Sequence, residues 1–297
     1  SHSQAIVNGI SRIGYMTGGK SALWVDEDIA DVIAKKSVAF IEQQKAGEPF
    51  FLFLTPHDIH EPMVPHPRFR GTSGAGWRGD VIHQLDWTIG EVLAALDRKG
   101  IAKDTLIIFT SDNGGAIKDT YDDGTNHLHA LQPPNGILRG AKGALYEGGH
   151  RVPFIARWPA RIPAGTESAA LFAHLDMIKS FATLTGTKVP AQGGPDAVDI
   201  LPALLAATGA KGRDTLVLQN NNGNVLAYRE GPWKLIARGA GKPELFNLEK
   251  DLEEKTDLAE AEPQRAKDMM SRLTTVIGDS KPFAGAGQGA KKKKKQE

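Results

Sequence analysis

The sequence predicts an α/β protein: a mostly parallel sheet flanked by helices, followed by a small antiparallel sheet that carries one helix. Three observations predict it. Up to about residue 195, apolar runs of strand length alternate with segments of helical period, the pattern of a sheet wrapped by helices. Two of those runs lead straight into loops of polar residues, the position that ligands occupy in open α/β sheets. From Asp196 the texture changes to short strand-like pieces bounded by Gly, Asn or Pro.

In chain order, Asp26 to Gln43 place Ile29, Val32, Ile33, Ser37, Phe40 and Ile41 at helical spacing, and "AGEP" ends that helix. "FFLFLTP" (Phe50 to Pro56) is a continuous apolar run, as in a central strand covered on both faces. Residues 76–100 return to the helical period through Ile82, Leu85, Ile89, Val92, Leu93 and Leu96, with Gly100 as the stop. "DTLIIFTSDNGG" predicts a second strand and its loop, and "VPFIARWP" a third strand. "AALFAHLDMIKSFATLTG" predicts a helix ended by Gly186. Then "DTLVLQN", "VLAYREG", "WKLIAR" and "ELFNL" predict the antiparallel sheet, and Glu262 to Val276 its helix.

Composition bounds the function. A chain of 297 residues can bury a large core, as one domain or as one large and one small. A formal charge of +1 gives no long-range reason to expect nucleic acid. No run approaches the roughly 18 apolar residues of a membrane span, so no membrane partner is expected. The lysines 291–295 follow "AGAGQGA" and read as a solvated, disordered tail over 281–297. The absence of cysteine excludes disulfides, zinc–thiolate sites and a cysteine nucleophile within these residues. The opening "SHSQAIVNGISRIGY" has no apolar leader core and no initiator Met, and reads as a cut start.

The candidate chemistry sits in "TPHDIHEPMVPH" and "TSDNGG", which offer His57, Asp58, His60, His66, Asp112 and Asn113. An Asp beside an Asn, with no thiolate, suits a hard cation such as Ca²⁺ or Mg²⁺ better than zinc. The same letters also suit a strand-ending Asx turn. His57 and His60, flanked by Pro56 and Pro62, read as functional against the alternative of surface or packing residues. Lys142 in "GAKGALYEGG" is either a point charge for a sulfate or phosphate oxygen or an exposed loop lysine.

Four segments then carry a resemblance. "PFFLFLTPHDIHEP", "TLIIFTSDNGG", "GAKGALYEGGHRVPFIARWPARIPAG" and "YREGPWKLIARG", the last followed by "ELFNLEKDLEEKTDLAE", occur in this order. Together they resemble the C-terminal two-thirds of a type I sulfatase of the arylsulfatase A-like family, in the alkaline phosphatase superfamily, over residues 9–280. The resemblance implies an alkaline phosphatase-like fold and sulfuric ester hydrolysis on a sulfated small molecule or carbohydrate. It implies Asp112 and Asn113 as calcium ligands, with Mg²⁺ as the alternative cation. Lys142 would contact the sulfate, and His60 the sulfate or the leaving oxygen, both as catalytic and substrate-binding groups. His57 and His66 match no family position. The parent protein would be exported.

The departures are as definite. The family's nucleophile is a formylglycine made in a C/S-x-P-x-R motif, which these residues lack. The paired aspartates that complete the metal site are also missing, and Lys20 in "TGGKSALW" does not resemble the family's lysine-histidine segment. The expectation is therefore a remainder of the sulfatase α/β domain over 1–195, a small α+β subdomain over 196–280, and a tail. A missing N-terminal segment would complete the site, and the chain alone would be inactive and expose an unpaired sheet edge. The alternatives are a non-catalytic binder of sulfated ligands, or a phosphodiesterase or phosphonate hydrolase of the same superfamily.

Overall fold

A computed structural model describes residues 25–117, 133–190, 192–220, 222–239 and 241–278. Lys20, most of the polar segment 118–136 and the basic tail lie outside the described residues. The chain divides into two units. The first takes the described residues up to Thr105 with 116–117, 133–134 and 158–160; the second takes 106–115, 135–157 and the chain from Arg161.

In the first unit, helix α1 (Ile29–Gln43) packs against α2 (Gly76–Arg98). The buried face of α1 is Ala30, Ala34, Ser37 and Ile41; that of α2 includes Val81, Gln84, Thr88, Ala95 and Leu96. This corrects the predicted apolar stripes, since Val32 and Ile82 are nearly half exposed. Small side chains let helices approach closely, and the buried hydroxyls are satisfied within their own helices: Ser37 donates to the Ile33 carbonyl at 2.8 Å, and Thr88 to Gln84 at 3.1 Å. Phe50 to Pro56 does not form the expected strand. Leu52 and Leu54 are half-buried while Phe51 and Phe53 are 71% and 78% exposed, so the run has the two-residue period of a strand without a ladder among the described residues. No described helix is long and apolar enough to cross a membrane.

In the second unit, β1 (Ile107–Thr110) and β2 (Phe154–Arg157) form where predicted, but they pair antiparallel, Thr110 opposite Phe154. The described sheets are all antiparallel, and a mostly parallel sheet is not formed by these residues. A short helix α3 (Glu147–His150) precedes β2. Helix α4 (Met177–Thr185) begins eight residues later than the predicted segment. The reason is Asp176, fully buried, whose carboxylate accepts from the amides of Ala173 and Val198 and pairs with Arg213. That ties the chain into a bend where periodicity alone suggests continuous helix.

After the single turn α5 (Leu201–Leu204) comes the predicted meander: β3 (Thr215–Gln219), β4 (Leu226–Glu230), β5 (Trp233–Ala237) and β6 (Glu244–Asn247), each antiparallel to the next. Helix α6 (Pro263–Ile277) covers one face, burying Ala266, Met269 and Leu273 against Leu226, Tyr228, Leu235 and Leu245. The other face, Ala227, Ile236 and Phe246, is closed by Leu248 and by Leu145. Each fully buried Leu, Ile or Phe stabilises by about 1.5–3 kcal/mol. Leu145 stands three residues from Lys142, so the small sheet is the floor on which the Lys142 segment lies.

Candidate active site

The structure brings three of the four predicted site residues together. Asp112 and Asn113 leave the end of β1, and the loop turns back at Gly114 and Gly115. The amide of Lys142 donates to the Gly115 carbonyl at 3.2 Å, and that of Gly114 to Gly149 at 3.0 Å. Asn135 locks the same junction: its Oδ1 accepts from Gly115 at 2.7 Å, and its Nδ2 donates to the carbonyls of Gly115 and Gly140, both at 3.0 Å. The Asp112–Asn113 loop and the Lys142 loop are thus one hydrogen-bonded block. Two glycines permit it. A Cβ on Gly114 would lie 1.8 Å from the Gly148 oxygen, and one on Gly149 would lie 2.1 Å from the Ala144 oxygen.

On this block Asp112 and Lys142 are exposed and Asn113 is half-buried. Asn113 donates through Nδ2 to the Gly114 carbonyl at 3.0 Å, which leaves Oδ1 as its ligand atom. Asp112 and Asn113 therefore fit a hard cation as two oxygen donors, against the six to eight that Ca²⁺ takes. Among the described residues no three His, Asp or Glu side chains group as a metal cage.

His60 belongs to the first unit, in the loop after Phe50–Pro56. It is exposed; its amide donates to the His57 carbonyl at 2.9 Å, and its Nδ1 lies 2.6 Å from the Glu61 carbonyl. A carbonyl can only accept, so Nδ1 carries a proton and Nε2 is the atom that can take or give a second one. The loop is held by Gln84, 2% exposed, which donates to both oxygens of Asp58 and accepts from the His66 amide at 2.8 Å. Burial raises the Asp58 pKa, the Gln84 bond and His57 opposing it. His66 accepts at Nδ1 from the Arg68 amide at 3.3 Å, and His57 reaches the Pro62 carbonyl at 3.4 Å. Both shape the loop.

Sequence reasoning misses the charges beneath the block. Lys234, on β5, is fully buried with its Nζ 2.9 Å from Glu147, 2.8 Å from Glu254 and 3.2 Å from His150 Nε2. Glu147 also takes Arg151 Nε at 2.5 Å. Burial alone would raise the Glu147 carboxyl, but Lys234, with His150 and Arg151, holds it down to about 2. Burial first, then Lys234, pushes His150 down to about 4, against the pull of Glu147. Burial keeps Glu254 above the usual carboxylate range despite Lys234. The one signal available is a lysine inside the apolar strand "WKLIA", on the same face as Ile236.

These shifts predict acid sensitivity. The unfolded chain protonates His150 near its ordinary 6.5 and the fold resists until about 4, so that stabilisation is complete above 6.5 and lost as pH falls to 4. Glu147 adds a loss between 4.5 and 2, and Glu254 works in the opposite direction. Stability of the second unit should fall from pH 6.5 to 4, and His150→Gln should flatten that slope in urea titrations at stepped pH. An unchanged slope would assign the loss to other groups.

Comparison with known proteins bears on the family of the chain. The family model described as Sulfatase matches residues 6–187. An N-acetylgalactosamine-6-O-sulfatase of Bacteroides thetaiotaomicron is 43% identical over 290 residues, covering 93% of this chain and 56% of that protein. A steryl-sulfatase of Rattus norvegicus is 38% identical over 173 residues, covering 58% of this chain and 29% of its own length. A solved sulfatase structure, from work on glycosaminoglycan metabolism by Bacteroides thetaiotaomicron, superposes with a TM-score of 0.84 at 43% identity, covering 91% of this chain and 59% of that one. The chain spans little more than half the length of the bacterial relative. With the family model matching more than half of its residues, the chain belongs to the sulfatase family.

Proposed function

We propose that the chain is the portion of a sulfuric ester hydrolase that grips the sulfate and its cation, acting on a sulfated carbohydrate. The observation that carries this is the bond from the Lys142 amide to Gly115, which sets an ammonium-bearing loop against the Asp112–Asn113 loop. The bacterial relative's name supports a 6-O-sulfated N-acetylgalactosamine as substrate. The mostly parallel sheet of the family fold belongs to this reading of the whole protein, with Phe50 to Pro56 as one of its strands.

Asp112 and Asn113 would hold Ca²⁺, which when bound offsets the sulfate's negative charge. Lys142 binds a non-bridging sulfate oxygen as a point donor. His60, with Nδ1 held by Glu61, gives a proton from Nε2 to the leaving oxygen, and can do so only as imidazolium. These groups bind and polarise; attack on sulfur is the task of the formylglycine nucleophile, outside these residues.

The test uses the full-length enzyme on N-acetylgalactosamine 6-sulfate. Asp112→Ala should abolish sulfate release at any practical calcium concentration, because it removes a charged ligand. Asn113→Ala should raise the calcium requirement and recover when calcium is added in excess. If both variants bind calcium and turn over like the parent, "SDNGG" is only a turn.

A further inference from the structure

The loop that carries Lys142 begins at Arg139 and ends at Glu147, and both ends are tied to one residue, Glu254. The Arg139 guanidinium donates to the Glu254 carbonyl at 2.7 Å, and the Glu147 amide donates to the Glu254 carboxylate at 2.6 Å. A third bond, Gly148 amide to Arg139 carbonyl at 2.7 Å, closes the neck of the loop. Arg139 also stacks on the Tyr146 ring, its guanidinium carbon 3.9 Å from the centroid. Glu254 itself is fully buried, and its backbone sits at a φ of 54°. A non-glycine residue persists there only where its surroundings fix it. What fixes it is Lys234, whose ammonium sits between the Glu254 and Glu147 carboxylates.

Buried ion clusters are weak stabilisers compared with apolar residues of the same volume, so stability alone accounts poorly for this one. Position accounts for it better. Glu147 is held at its amide by Glu254 and at its carboxylate by Lys234 and Arg151. From Glu147 the constraint runs through Gly148 and Gly149 to Gly114, the neighbour of Asn113. We infer that Glu254, fixed by Lys234, is a positioning residue that sets the Lys142 loop and, through the Gly149–Gly114 bond, the Asp112–Asn113 loop. The small C-terminal sheet is then a part of the sulfate-binding apparatus, although His60, Asp112, Asn113 and Lys142 all lie outside it. Its consequence for turnover rests on the function proposed above; its consequence for the loops does not.

The first arm is hydrogen exchange on the 297-residue chain. Glu254→Ala should speed exchange in 139–149 and 111–117 by about tenfold or more, with β4, β5 and α6 keeping their protection. Glu254→Gln, which retains an oxygen to accept the Glu147 amide, should restore most of the protection. Arg139→Ala, an exposed change that releases one end of the loop, should accelerate the same segments even if Glu254→Ala fails to fold. Unchanged exchange in 139–149 for Arg139→Ala, or a rise shared equally by α6 and the sheet in Glu254→Ala, overturns the inference.

The second arm is the full-length enzyme. There Arg139→Ala should lower kcat on a sulfated sugar about tenfold with an unchanged melting temperature. Faster loop exchange with unaltered turnover would leave the positioning role standing and overturn the assignment of this loop to the sulfate.

Discussion

Gly114→Ala should dismantle the Asp112, Asn113 and Lys142 arrangement, although it adds one methyl group. The new Cβ would lie 1.8 Å from the Gly148 oxygen and 2.8 Å from its carbonyl carbon. Both are backbone atoms, so no side chain can swing aside, and the Gly114–Gly149 bond must break. Overpacking against fixed backbone costs about 3 kcal/mol or more. Gly90 gives the opposite sign. It stands inside α2, where an added Cβ meets nothing, so Gly90→Ala should stabilise by up to about 1 kcal/mol. Urea midpoints for the two variants would check both. In the full-length enzyme Gly114→Ala should leave no measurable turnover. A Gly114→Ala protein as stable as the parent would mean that the two loops do not pack as described.

The double glycines of "DNGG" and "YEGGH" are visible in the sequence, although the second pair lies in the short helix α3 rather than in a turn. What the sequence does not show is that Gly114 and Gly149 meet each other, because close backbone approach is a property of two segments at once. Asp112, Asn113 and Lys142 stand out as candidates because each stands in a short motif next to a strand or a pair of glycines. Glu254 and Lys234 are not. Glu254 is one acid among many in "DLEEKTD", and Lys234 is one residue of the strand-like piece "WKLIAR". The packing of Leu145, Tyr146 and Leu248 on the open face of β4–β6 makes that position an interior one.

The same limit explains the strands. "IIFT" and "FIAR" are correctly read as strands, but apolar runs give no direction, and their antiparallel pairing is set by the register of Thr110 against Phe154. Phe50 to Pro56 carries the apolar content of a strand, yet a ladder also requires a neighbour, which composition cannot supply. In α1 and α2 the period is right and the buried face is rotated, because Ala30, Ala34 and Ser37 suit a close helix contact better than the larger Val32.

Lys142→Ala and His60→Ala in the full-length enzyme should each lower turnover on the order of 10²-fold or more, the scale of losing one preorganised donor. The two losses should differ in kind. A sulfate ester carries its charge on the non-bridging oxygens, and the bridging oxygen gains charge only as the S–O bond breaks. Lys142, exposed on the block beside the Asp112–Asn113 loop, would in the proposed role meet the charge present before reaction, so its loss should be similar for every ester. In the proposed role His60 would meet the charge that develops. Its Nδ1 proton is committed to the Glu61 carbonyl, so Nε2 alone can serve the leaving oxygen. Its removal should therefore cost least with nitrophenyl sulfate, whose leaving group needs no proton, and most with a sugar sulfate. His66→Ala should cost little on either substrate beyond a loosened loop, since its Nδ1 accepts from Arg68. Parallel kinetics on the two esters decide the matter: an equal loss for His60→Ala on both would make it a binding group, and no loss on either would remove it from the site.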